Sequence, residues 1–154
     1  MNSVVTIGNF DGVHAGHRKL LQTAGVWADA LDLPLIVVTF EPHPQQYFQP
    51  DEPFTRLTSP QEKIAKLYEY GADRVVIYTF NEDIANMTPE NFIDEILVRD
   101  LAADHVVVGT DFRFGHKAAG TVSTLAEHPA FTTHVLPLVS DKHGKISSRR
   151  LRQP

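Results

Sequence analysis

Residues 4–17 read Val4-Val5-Thr6-Ile7-Gly8-Asn9-Phe10-Asp11-Gly12-Val13-His14-Ala15-Gly16-His17. The first four side chains are all β-branched, which suits a pleated strand and costs χ1 freedom in a helix. Residues 4–7 therefore predict a strand, and Gly8 stops it. Beyond the glycines, Leu20, Leu21, Ala24, Trp27, Ala28 and Leu31 recur at three- and four-residue steps. That is the period of a helix with one buried face. A strand, a glycine-rich turn and a helix, in that order, open an α/β domain.

The same alternation continues down the chain. Leu35-Ile36-Val37-Val38-Thr39-Phe40 reads as a second strand, apolar enough to be buried on both faces. Residues 41–58 contain four prolines and few helix formers, and predict a loop. Ser59-Pro60-Gln61-Glu62 supplies an N-cap, a proline at the first helical position and a glutamate for a capping box. A helix follows to about Tyr70, ended by Gly71. Residues 74–79 predict a third strand, and Thr88-Pro89-Glu90 opens a helix running to about Val98. Residues 105–108 predict a fourth strand ended by Gly109, residues 121–127 a short helix, and residues 133–139 a fifth strand. Repeated strand–helix–strand units imply a mainly parallel sheet with helices on both faces. At 154 residues the expectation is one domain, 1–154.

Composition excludes several classes. Hydrophobic residues make up 42% and charged residues 21%, an ordinary globular mixture. The sequence has no cysteine, so disulfides, thiolate catalysis and cysteine-ligated zinc or iron–sulfur sites are out. That suits a reducing cytoplasm, the expected location. The net charge of -5, with Arg149, Arg150 and Arg152 as the one basic cluster, argues against a nucleic-acid partner. The longest apolar stretches are strand-length, so no membrane partner is expected, and residues 1–3 carry no signal-peptide pattern.

In doubly wound folds ligands bind beyond the carboxyl ends of the strands. Three polar segments directly follow strand signals here: residues 8–17, 41–44 and 109–115. Gly8, Gly12 and Gly16 let the backbone turn tightly and approach a ligand. His14 and His17, three apart at a helix start, share one helical face near free backbone N–H groups and the positive end of the helix dipole. Together they suit charge growing on a phosphate. The glycine spacing is not that of the dinucleotide fingerprint, and no Gly-Lys-Ser/Thr marks a Walker loop. Either histidine alone would read as an ordinary polar residue at a helix start; the pairing after a strand and a glycine turn favours a site.

His14-Ala15-Gly16-His17 resembles the HxGH signature of the nucleotidylyl transferases, whose Rossmann-like fold the resemblance implies. Four further segments appear in order: residues 8–14, then Phe40-Glu41-Pro42-His43-Pro44, then Val108-Gly109-Thr110-Asp111-Phe112-Arg113-Phe114-Gly115, then Ile146-Ser147-Ser148. Together they resemble the FAD synthetase module, the FMN adenylyltransferase half of the prokaryotic bifunctional riboflavin kinase/FAD synthetase. The resemblance covers nearly the whole chain.

The resemblance implies transfer of AMP from ATP to FMN, giving FAD and pyrophosphate. It implies that His14 and His17 bind the ATP phosphates and stabilise the transition state, while Gly8, Phe10, Asp11 and Gly12 shape the nucleotide pocket. Asp111 matches a family position beside the reacting phosphates. Ser148 and Arg152 match a C-terminal Ser-Ser-Thr-x-x-Arg motif that grips triphosphate oxygens, and Lys145 falls where the family often has arginine. Pro42-His43-Pro44 resembles a stiff flap near the flavin. Phe48, Phe92 and Phe114 align with aromatic positions lining the isoalloxazine pocket, although each also reads as core packing. Asp11 and Asp111 also read as turn caps. The carboxylates are scattered and form no dedicated metal cluster, so Mg²⁺ is expected to arrive with ATP.

The pattern departs from the family in two places. Arg149 stands where the motif has threonine, replacing a hydroxyl by a larger permanent charge. The C-terminal riboflavin kinase module of the relatives is absent from this sequence, so no kinase activity is expected of it. Three alternatives stay open: an adenylyltransferase for another phosphorylated cofactor precursor, a flavin- or nucleotide-binding module silenced at Arg149, and an interaction domain without a ligand.

Overall fold

The computed structural model describes residues 2–10, 12–13, 15–51, 59–137, 140–141 and 144–145; of residues 45, 140, 141, 144 and 145 it describes the backbone alone. Five strands form one parallel sheet: β1 (Ser3–Ile7), β2 (Leu35–Glu41), β3 (Arg74–Thr79), β4 (Ala103–Gly109) and β5 (Thr132–Leu136). Their order is β3-β2-β1-β4-β5. This is the doubly wound order, and the chain reverses direction across the sheet between β1 and β4. The α/β fold with a parallel sheet, expected from the alternation, is present.

Alternate side chains of each central strand go to opposite faces. On one face Val5, Ile7, Ile36, Val38, Val106 and Val108 pack with Ile93, Ile96, Leu97 and Leu125. On the other, Val4, Leu35, Val37 and Val107 pack with Leu21, Ala24, Ala28 and Leu67. Two helices therefore cover the second face: α1 (Ala15–Leu31) and α3 (Pro60–Glu69). The first face is covered by α5 (Pro89–Phe92), by its continuation through the wider π-helical turns of Ile93–Asp100, and by α6 (Val122–Ala126). Burying each large aliphatic side chain is worth about 1.5–3 kcal/mol, which is why the continuous apolar runs of β1 and β2 take the centre of the sheet.

The local signals act as read. Ser59 accepts the Glu62 N–H while Glu62 accepts the Ser59 N–H, closing the capping box of α3. Thr88 caps α5 through the Asn91 N–H. Five features differ from expectation. The proline-rich stretch expected as a loop contains a short helix, α2 (Pro44–Phe48), with proline at its first position, where the missing N–H costs nothing. A further one-turn helix, α4 (Glu82–Ala85), is capped by Asn81. The helix expected to end near Val98 reaches Asp100. β5 stops at Leu136, before Pro137, which has no N–H to offer a ladder. A two-stranded ribbon, β6 (Ser140–Asp141) with β7 (Gly144–Lys145), was not expected. No described helix is long and apolar enough to cross a membrane.

Candidate active site

The turn after β1 is built on unusual backbone. Phe10 has φ 54°, Gly12 φ 82° and Val13 φ 40°. Left-handed conformations at non-glycine residues cost about 1–3 kcal/mol each and persist only where the surroundings enforce them. Here packing does so: Phe10 and Val13 are both 0% exposed, inside the core beneath α1. Phe10 thus shapes the turn from below, and its ring is spent on the core. A Cβ on Gly8 would meet that ring at 3.3 Å. His17, on the first turn of α1, sets its imidazole edge-on to Phe10 at 5.1 Å between centroids. Arg18 donates to the Val13 carbonyl and stacks over Tyr70.

A second tie comes from α3. The Lys63 ammonium, 2% exposed, donates to the Asn9 carbonyl and the Thr39 hydroxyl, each at 2.9 Å, and to the Phe40 carbonyl at 3.3 Å. It also pairs with the Glu41 carboxylate at 2.8 Å. Thr39 itself donates to the same Asn9 carbonyl at 3.1 Å. The ends of β1 and β2 are therefore fastened to one buried cation.

The turn after β4 is closed on itself. Phe114 and Gly120 exchange backbone hydrogen bonds of 3.2 and 2.8 Å, and His116 N–H donates to the Met87 carbonyl at 2.7 Å. Gly115 has φ 80° and passes Pro89 so closely that a Cβ would lie 3.1 Å from it. Glycine is required there on both counts.

Between these turns, at the carboxyl ends of the strands, lies a cavity of about 520 Å³. Its size falls in the range of small-molecule sites. It sits where the strand order reverses, the place this topology provides for a ligand. Gly8, Pro44, Phe48, Phe92, Asp111 and Phe114, all anticipated from the sequence, line it together. The aromatic wall is continuous. Phe92 and Phe114 are 5.1 Å apart, Phe112 stacks on Phe114 at 5.6 Å, and Phe80 meets Phe48 at 5.8 Å and Phe40 at 6.0 Å. Phe92 and Phe114 belong to the core as well, being 2% and 6% exposed, whereas Phe48 is 62% exposed. The two readings of these phenylalanines therefore coexist in Phe92 and Phe114.

The remaining site residues fall elsewhere. Phe10, Gly12, His17 and Pro42 do not line the cavity; Phe10 and Gly12 belong to the turn beside it, His17 to the start of α1, and Pro42 is exposed before α2. Lys145 lies in β7, with its backbone alone described. Asp11, His14, Ser148, Arg149 and Arg152 lie outside the described residues. Sequence reasoning missed Phe40, Phe80, Phe112, Arg113 and Lys117 in the cavity lining, and Lys63 beneath it. Among the described residues no group of three or more histidine, aspartate or glutamate side chains is arranged to hold a metal.

The bifunctional riboflavin kinase/FMN adenylyltransferase of Escherichia coli (strain K12) is 46% identical over 112 residues, covering 73% of this chain and 36% of that protein. The protein of the same description from Buchnera aphidicola subsp. Acyrthosiphon pisum is 38% identical over 156 residues, covering 99% of this chain and 50% of that one. The chain thus spans half or less of these relatives' length. A crystal structure described as a macrolide-efflux protein from Streptococcus pneumoniae superposes with a TM-score of 0.88 at 31% identity, covering 99% of this chain and 52% of that one. The sequence model of FAD synthetase matches residues 1–150, nearly the whole chain, and on that match the chain belongs to the FAD synthetase family.

Proposed function

We propose that this chain is an FMN adenylyltransferase domain that moves AMP from ATP to FMN, yielding FAD and pyrophosphate. The observation that carries this is the cavity: a wall of phenylalanines suited to a flat isoalloxazine ring opens directly beside the strained turn that leads into α1. Flat apolar ligands are held by aromatic faces and edges, and anions by the N-terminus of a long helix. One site offers both.

In this reading the ATP phosphates rest on the turn 8–17 and the start of α1, with His14 and His17 as cationic or hydrogen-bonding partners. Gly8, Asp11 and Gly12 form the nucleotide side, with Phe10 supporting it from the core. Ser148, Arg152 and Lys145 bind triphosphate oxygens. Phe48, Phe92, Phe114 and Pro44 hold the flavin, Pro42 stiffens the approach to α2, and Asp111 lies by the reacting groups. Arg113 and Lys117, at the cavity lining, supply positive charge for the FMN phosphate. An FMN phosphate oxygen attacks the α-phosphorus, the bond to the β-phosphate oxygen breaks, and pyrophosphate leaves. No covalent enzyme intermediate forms, so the chain contributes positioning and charge stabilisation. Mg²⁺ enters as part of the MgATP substrate. Residues 1–154 act as the transferase unit.

The test is to mix the chain with ATP, Mg²⁺ and FMN and follow FAD and pyrophosphate. Equal yields of the two, falling by orders of magnitude in His14→Ala, are expected. Tight FMN or ATP binding with neither product would point instead to a silenced binding module.

A further inference from the structure

A lysine ammonium removed from water costs several kcal/mol unless paired and hydrogen-bonded. Lys63 meets that cost in part with four groups among the described residues, which lie at the carboxyl ends of β1 and β2. A purely structural cation has no need to be there: α3 already buries Leu67 and is capped by Ser59. The Asn9 carbonyl it holds belongs to a residue that lines the cavity and directly precedes Phe10, the first left-handed residue of the turn. The Glu41 carboxylate it holds lies three residues before Pro44, which also lines the cavity.

We infer that Lys63 is a positioning residue: its ammonium sets the distance between the turn 8–13 and the start of α2, and through them the alignment of the two substrates. The inference rests on the proposed adenylyl transfer. Lys63 is buried and is not among the residues that line the cavity. Its removal therefore acts on alignment, to which transfer rates respond steeply: a shift of about 1 Å costs about a hundredfold. Binding of each substrate alone, spread over many contacts, responds less.

The experiment uses Lys63→Met, and the double variant Lys63→Met/Glu41→Gln, which removes both charges of the pair and keeps the proposal testable where the single variant fails to fold. Turnover per folded molecule, KM for ATP and for FMN, and amide hydrogen exchange of residues 8–13 are measured beside the wild type. The expected result is a kcat lowered about a hundredfold, KM values changed severalfold at most, and faster exchange confined to residues 8–13 and the flanking end of β2. A folded variant with wild-type kcat, or exchange unchanged in residues 8–13, would overturn the role. If the wild type itself makes no FAD, the transferase reading fails separately. Exchange at residues 8–13 then decides whether Lys63 holds the turn.

Discussion

The Phe114 ring lies against the backbone of Gly120: a Cβ placed on Gly120 would come within 2.7 Å of three of its atoms. No real contact is that short, so the ring and its neighbours Phe92 and Phe112 are set in place by a missing side chain. Gly120→Ala is expected to push Phe114 into the cavity and cost about 1–3 kcal/mol by overpacking. Thermal melts and FMN titration check both: a lower midpoint together with weakened FMN binding is expected.

Phe48 and Phe92 separate binding from stability. Phe48 is exposed, so Phe48→Ala is expected to change stability by no more than about 0.5 kcal/mol. Its loss should appear as weaker FMN binding. Phe92 is buried in the core, so Phe92→Ala is expected to cost about 3–5 kcal/mol. Denaturant midpoints beside flavin fluorescence quenching distinguish the two.

Arg113 and Lys117 carry the positive charge of the cavity lining. If they meet the FMN phosphate, Arg113→Ala and Lys117→Ala weaken binding of FMN but leave that of riboflavin, which has no phosphate, nearly unchanged. The wild-type preference for FMN should also decline as salt rises. Equal losses for both flavins would place these side chains away from the phosphate.

A pH effect is expected at the β4–β5 edge. His134 stacks on Trp27 at 4.3 Å, and its Nε2 lies 3.0 Å from His105 Nδ1. Burial, and then the neighbouring His105, hold the His134 imidazole below its ordinary 6.5. The unfolded chain therefore takes up this proton more readily than the folded one. Stability from this group is present above about pH 6.5 and is lost as pH falls toward the lower folded value. The thermal midpoint of wild type should drop more steeply than that of His134→Gln on acidification from about pH 7 to about pH 5.5.

What the sequence disclosed depended on how local the signal was. β1, α1 and β2 were legible because β-branched runs and a helical period need no tertiary context. The α3 cap was legible because Ser59 and Glu62 carry a reciprocal bond between them. α2 was hidden by prolines that usually mark loops, and the π-helical turns of Ile93–Asp100 have no local signature. Phe40 read as the end of a strand and Phe80 fell just beyond one; they become one wall only because β2 and β3 pair in parallel, leaving Phe80 N–H on the Glu41 carbonyl. Lys63 did leave a sign. It sits one helical turn before Leu67, on the stripe where an apolar residue belongs, and a charge in that stripe implies a partner the sequence cannot name. Arg113 lay inside a quoted motif, yet its place at the cavity depends on how the turn after β4 closes.

The central claim is tested most directly by supplying ATP labelled on its α-phosphate, with Mg²⁺ and FMN, and locating the label. Adenylyl transfer predicts label in FAD, unlabelled pyrophosphate in equal amount, and near-complete loss of both in His17→Ala. Label that stays in ATP, or moves to a phosphorylated acceptor other than FMN while FMN is ignored, would contradict it.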